Sequence, residues 1–399
     1  MQERLIKIIS PEYRANIYGD TEIEFYCHDA ERVELYSQKP PHDLNISSNG
    51  AKELIAAVKL DNYSGSAVFH AEDFPNGPIL IKLSAYGSNG EHIDDCYLQL
   101  YNRNGVAWKT NLANAPVNPV THGMKITFED DFSDSELSVT RQGLNGVKYA
   151  SAKPDVWEGG EFGYSFFASK ESQYNPFELV DGTYLRITTK YLSDYNDTGG
   201  WGRKSSTGFI SSIGVDGSGF HTKSGRQYFE ARLLLGPNPG GWPAFWTLTS
   251  NNYAARISEF KGEPCDELDI LEGYMAWPYH YAINCHPWGE KNPARELGRE
   301  KHLGHWANVD NQNFNFINLN MGFHIFAVLI TEETTHYYCD NIEVWSHPTL
   351  PLSYELGNFF MINGGTSDHD EAKMDNPSGF RRYGDECHMY IDWVRVWES

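Results

Sequence analysis

From Thr21 to His28, apolar Ile23, Phe25 and Cys27 alternate with Glu22, Glu24 and Tyr26. This period of two marks a strand with one face on a core. The segments RVELYS, ELIAAVKL, SAVFHAE, ILIKLSAY and CYLQLYN follow, separated by Gly, Asn, Asp and Pro clusters. Short strands at this spacing predict a small β-sandwich over residues 1–105. Residues 106–123 hold Pro116 and Pro119 and show little periodicity, so they read as a linker.

Residues 124–399 are again strand-rich, with longer runs. GRQYFEARLLLG, GWPAFWTLTS, DELDILEGY, YHYAINCH, FHIFAVLIT and MYIDWVRVW favour β-branched and aromatic residues. HYYCDNIEVWS reads as a hairpin turning at Asp340-Asn341, where Asn tolerates the left-handed backbone a tight turn needs. Helical periodicity is nearly absent. The predicted class is all-β, with two stacked antiparallel sheets in the second domain.

Composition narrows the function. The net charge of -22 disfavours nucleic acid, whose phosphates need a basic face, and a densely anionic polymer. No apolar run is long enough to span a membrane, and MQERLIKIIS lacks the apolar centre of a secretory signal. The cysteines at 27, 96, 265, 285, 339 and 387 show no zinc spacing and read as core residues. Pairing of Cys27 with Cys96 stays open.

Candidate chemistry concentrates in PCDELDILEGY, residues 264–274. Asp266, Glu267, Asp269 and Glu272 interrupt apolar Leu268, Ile270 and Leu271. On a strand Glu267 and Asp269 share one face, and Leu268 and Ile270 share the other. A regular strand turns Glu272 inward, where an unpaired carboxylate is costly. One extra residue at Ile270-Leu271, a β-bulge, returns it to the face of Glu267 and Asp269. Crowded carboxylates raise one another's proton affinity, so one stays protonated while another is ionised. Two such groups suit glycoside hydrolysis. A solvated acidic face and a calcium site are the competing readings.

DELDILEG resembles the bulged active-site strand of glycoside hydrolase family 16. ITFEDDFSDSELS, TGFISS, GRQYFEARLLLGPNPGGWPAFWTLTS, HYAINCHPWG and MYIDWVRVWES resemble other family segments, in the family's order. The resemblance implies a jelly-roll sandwich with an open cleft. It assigns Glu267 as nucleophile, Glu272 as general acid/base and Asp269 as the assisting acid. It places His286, Trp242 and Trp246 in the cleft, with Trp246 as the favoured sugar platform, and adds Trp288 and Tyr274 as weaker candidates. Asp392 matches a position that in some members helps hold a structural calcium. No cofactor is expected for the chemistry. FPNGPILIKLSAYGSNGEHIDDCYLQLYN resembles the end of an immunoglobulin-like module. Two stretches depart from the family: Arg141-Gln142 stands where a Trp is usual, and NFFMINGGTSDHD lacks the common Asn-Leu-Ala.

The expected function is retaining, internal cleavage of β-1,3- or β-1,4-linked polysaccharide. A capsule or exopolysaccharide depolymerase, a non-catalytic lectin-like protein and a transglycosylase are the alternatives. The first domain is expected to dock to a glycan, a cell surface or a larger assembly, and the protein to act outside the cell or on a virion or cell surface. Residues 289–306 read as a long loop whose Arg295, Arg299, Lys301, His302 and His305 either face solvent or reach an acidic substituent.

Overall fold

The computed structural model describes residues 5–38, 52–106, 115, 117–153, 161–196, 202–252, 263–298, 303–314, 318–367 and 379–399. Lys7–Ser10, Thr21–Tyr26 and Ser64–Phe69 form a three-stranded sheet. Asn16–Ile17, His92–Asn102, Gly77–Tyr86, Arg32–Gln38 and Lys52–Lys59 form a five-stranded one. The alternating apolar positions Ile23, Phe25, Val33, Leu35, Ile81 and Leu83 meet in one core. Cys27 and Cys96 lie in that core as thiols, so the bridge left open by the sequence is not formed.

The second unit stacks an eight-stranded sheet on an eleven-stranded one, an antiparallel jelly-roll sandwich. The eight-stranded sheet carries the acid strand, Cys265–Glu272, between Ala244–Thr249 and His280–Trp288. Asn358–Asn363 flanks Ala244–Thr249, and Leu303–Asn308 flanks His280–Trp288 at the edge. Between the sheets, Phe245, Leu268, Ile270, Leu271 and Ile283 meet Phe326, Val328, Ile391 and Val394. Burying such side chains contributes about 1.5–3 kcal/mol each. Asp340 and Asn341, both at positive φ (48° and 64°), turn the hairpin that joins Thr334–Cys339 to Ile342–Pro348.

The first sandwich is fastened to the outer sheet. Leu80 and Tyr101 pack on Tyr184, Leu234, Phe323 and Tyr390. Arg382 pairs with Asp94 at 2.5 Å and donates to the Ile6 carbonyl at 2.9 Å. Arg14 donates to the carbonyls of Tyr383 and Glu386 at 2.7 and 2.8 Å. The linker also lies down: Ala115 packs on Ile325 and Trp393, and Val120 and Met124 pack against Tyr228 and Trp397. Linker residues 107–114 and 116 lie outside the described residues. These contacts hold the first sandwich against the eleven-stranded sheet, and Lys82 Nζ also reaches Tyr279 Oη, just beyond the acid strand, at 3.4 Å.

Candidate active site

Strand register places the acids. Trp246 faces Asp269 and Phe245 faces Leu271, so Ile270 is the extra residue of a bulge. On the other side Asp269 faces Asn284 and Glu272 faces Ala282, with the same irregularity. The consecutive apolar pair Ile270 and Leu271 both sink into the core between the sheets. Glu272 is thereby spared the interior and is half-buried, like Glu267. Asp266, the fourth acid, points the other way. It accepts from Asn292 Nδ2 at 2.7 Å and from the Ser353 amide at 2.9 Å, tying a loop and a short helix to the strand.

Asp269 is 5 % exposed. Its oxygen Oδ2 lies 3.3 Å from His286 Nε2. Ligating atoms of Glu267, Asp269 and His286 fall within 4.8 Å of one another. Burial pushes the Asp269 carboxyl well above the usual range, and the charges of Glu267 and Glu272 push it further, with Lys153 opposing. Asp269 thus favours its protonated form more than an ordinary aspartate does, and in that form it can donate a hydrogen bond to an ionised neighbour. The row titrates as a coupled set.

The glutamates have separate partners. Trp288 Nε1 donates to Glu267 Oε2 at 3.0 Å, and the Trp288 ring stacks on His286 with centroids 5.1 Å apart. Asn284 Nδ2 donates to Glu272 Oε2. At 49 % exposure, Trp288 presents a free aromatic face beside Glu267. A second aromatic group lies toward the Glu272 end of the strand. Trp242 stacks on Tyr274 at 5.3 Å, and Tyr274 touches Trp277 and Trp306 at 5.9 and 5.6 Å. Trp306 is 51 % exposed. Aromatic faces suit the C–H faces of sugars.

Three expectations change. Trp246 lies beside Asp269 but is only 4 % exposed. Its Nε1 donates to Asn363 Oδ1 at 2.9 Å and Lys153 Nζ sits 5.5 Å from its ring centroid, so it is a floor under the site more than a sugar platform. Asp392 is fully buried and accepts from Arg232 Nη1 at 2.6 Å. A guanidinium supplies the positive charge there, and the residue does not fit a calcium site. Leu303–Asn308 is a strand, so His305 and Trp306 are not loop residues. His305 stacks on Trp345 at 5.7 Å, on the side of the strand opposite Gly304 and Trp306. Arg295 donates to the Gly289 carbonyl at 3.0 Å; Arg299, Lys301 and His302 lie outside the described residues.

Sequence reasoning missed Asn284, Trp277, Trp306 and Lys153. Asn284 carried a signal: in YHYAINCH it lies two residues before His286, hence on the same face.

No protein-family model matches the chain. Over 230 residues it is 27 % identical to endo-1,3-1,4-beta-glycanase EglC of Rhizobium meliloti, covering 55 % of this chain and 41 % of that relative. The chain thus spans less than half the length of this relative. Among solved structures it is similar to LamA of Z. galactanivorans in complex with laminaritriose and laminaritetraose. That match has a TM-score of 0.51 at 16 % identity and covers 69 % of this chain and 99 % of the other. It is also similar to the catalytic domain of an endo-1,3-beta-glucanase (laminarinase) from Thermotoga petrophila, with a TM-score of 0.48, 18 % identity and coverage of 69 % and 98 %. The likeness to LamA is one of fold.

Proposed function

We propose that the chain is a glycoside hydrolase of the family 16 type, an endo-acting enzyme on β-1,3- or β-1,4-linked glucan that retains anomeric configuration. The observation that carries this reading is the bulge at Ile270, which sets Glu267, Asp269 and Glu272 on one face of one strand. The sequence likeness to EglC and the fold shared with LamA support it.

Glu272 gives its proton to the glycosidic oxygen as a Glu267 oxygen attacks the anomeric carbon. The C–O bond to the leaving chain breaks and a glycosyl ester forms on Glu267. Glu272, now ionised, takes a proton from water, whose oxygen displaces Glu267 from the sugar. Neutral Asp269 hydrogen-bonds ionised Glu267 and limits the repulsion among three carboxyls. Trp288 holds Glu267 from the other side. The two exposed aromatic faces, Trp288 and Trp306, flank the row and bind sugar units on either side of the scissile bond.

The test is a panel of β-1,3-, β-1,4- and mixed-linkage glucans and exopolysaccharides, read by reducing-end release and by NMR of the first product anomer. Chain-internal cleavage giving the β-anomer first supports the proposal. Binding with no cleavage supports a lectin-like protein instead, and the α-anomer first contradicts the retaining mechanism.

A further inference from the structure

Asn284 is half-buried on the open face, like His286 two residues along the same strand. Its strand, His280–Trp288, lies between the acid strand and Leu303–Asn308. In register Asn284 stands between Asp269 on one side and Gly304 on the other. Its Nδ2 donates to Glu272 Oε2. Its Oδ1 lies against Gly304, where any β-carbon would overlap that oxygen. Gly304 is the second residue of this edge strand, and glycine within a strand weakens a sheet unless another group needs the space. Here the amide needs it. The two observations come from different strands and agree: one strand leaves room for the amide and the other accepts its hydrogen bond.

An acid/base group must alternate between protonated and ionised forms in each turnover. A fixed N–H donor favours the ionised form and restrains the carboxyl rotamer. Resting on the hydrolase reading above, we propose that Asn284 is the positioning residue of the acid/base Glu272, and that Gly304 serves catalysis by making room for its amide. Asn284 reaches the reaction only through Glu272. Other titratable groups lie near Glu272 among the described residues. Asp269 and Glu267 lie on its own strand, His286 on the neighbouring strand meets Asp269, and Lys153 lies over Trp246 on the other flanking strand. Asn284 donates to Glu272 directly, so its removal is expected to act on the acid/base step.

The experiment compares pH profiles of kcat/KM on a cleaved β-glucan for wild type, Glu272→Gln, Asn284→Ala, isosteric Asn284→Asp and Gly304→Ala, with a melting curve for each. Loss of the donor makes Glu272 hold its proton to higher pH. The alkaline limb is expected to move up in Asn284→Ala and further in Asn284→Asp, where a like charge is added. kcat is expected to fall about 10- to 100-fold with KM little changed. Gly304→Ala gives a smaller change of the same sign. An aryl β-glycoside, whose leaving group needs little protonation, recovers most of the lost rate. Unmoved alkaline limbs in both Asn284 variants, with Glu272→Gln inactive, overturn this inference alone. A Glu272→Gln variant with wild-type activity overturns the hydrolase reading beneath it.

Discussion

Asp269 and His286 meet at 3.3 Å across two adjacent strands, and the carboxyl of the pair is the more buried member. Burial first, and the neighbouring Glu267 and Glu272 second, raise its proton affinity. A carboxyl whose folded pKa lies above its unfolded value favours folding below the unfolded pKa. That advantage is lost as pH rises through the folded value. Asp269→Asn removes the titration. Its melting temperature is expected to exceed that of wild type by a few degrees near pH 7, where about 1 kcal/mol corresponds to about 2–4 °C. The difference should shrink toward pH 4. The same variant is expected to lose activity, because an amide cannot exchange a proton with Glu267. Equal melting curves across this range contradict a strained Asp269.

The exposed aromatic faces make a separate prediction. Trp306→Ala removes a platform remote from the bond-breaking atoms, so it is expected to raise KM for long oligosaccharides about tenfold while kcat holds, the signature of lost uniform binding. Trp288→Ala removes a platform and also the donor to Glu267, so kcat is expected to fall as well. Steady-state kinetics on oligosaccharides of increasing length separates the two. A Trp306→Ala enzyme with unchanged KM places the sugar elsewhere.

The two sandwiches are expected to unfold as one unit. Arg382 and Asp94 form a largely buried ion pair across their boundary, 2.5 Å long. Arg382→Ala leaves the carboxylate without its cation, and removing one partner of such a pair costs about 3–5 kcal/mol. Calorimetry of wild type should show a single transition, and of Arg382→Ala a lower one or two. An unchanged thermogram contradicts a fastened first sandwich.

His388 lies at the same boundary. Gln99 Nε2 donates to its carbonyl at 3.0 Å, and burial lowers its imidazole to about 4 from the ordinary 6.5. The unfolded chain therefore binds a proton that the folded chain refuses between these values, and stability falls as pH drops through that window. His388→Leu is expected to flatten the slope of melting temperature against pH between about 6.5 and 4. A slope unchanged by the substitution assigns the acid sensitivity to other groups.

The acid row was legible because strand geometry forces the issue. Leu268 and Ile270 need a core, Glu272 cannot share it, and one added residue resolves the conflict. The hairpin at Asp340-Asn341 was legible for a similar local reason. Trp306 was not. Its strand, Leu303–Asn308, lies at the sheet edge, where exposed positions outnumber buried ones and periodicity fades. The histidines and lysine just before it made the whole segment look like a charged loop. Trp246 was read as a sugar platform from the family resemblance, but the partner that takes its indole N–H, Asn363, is 117 residues away. Asp392 failed in the same manner. Nothing near it in sequence announces Arg232, and an ion pair between distant strands leaves no local pattern. The pairing of Arg382 with Asp94 is of the same kind.

The most direct test of the central claim is initial-rate release of reducing ends from a β-glucan by Glu267→Gln and by Glu272→Gln, each checked for retained glucan binding. Both substitutions keep shape and remove ionisation, and each is expected to lower the rate by about 10³-fold or more while binding persists. Wild-type rates in either variant would show that the carboxyls brought together by the bulge at Ile270 do not carry the reaction.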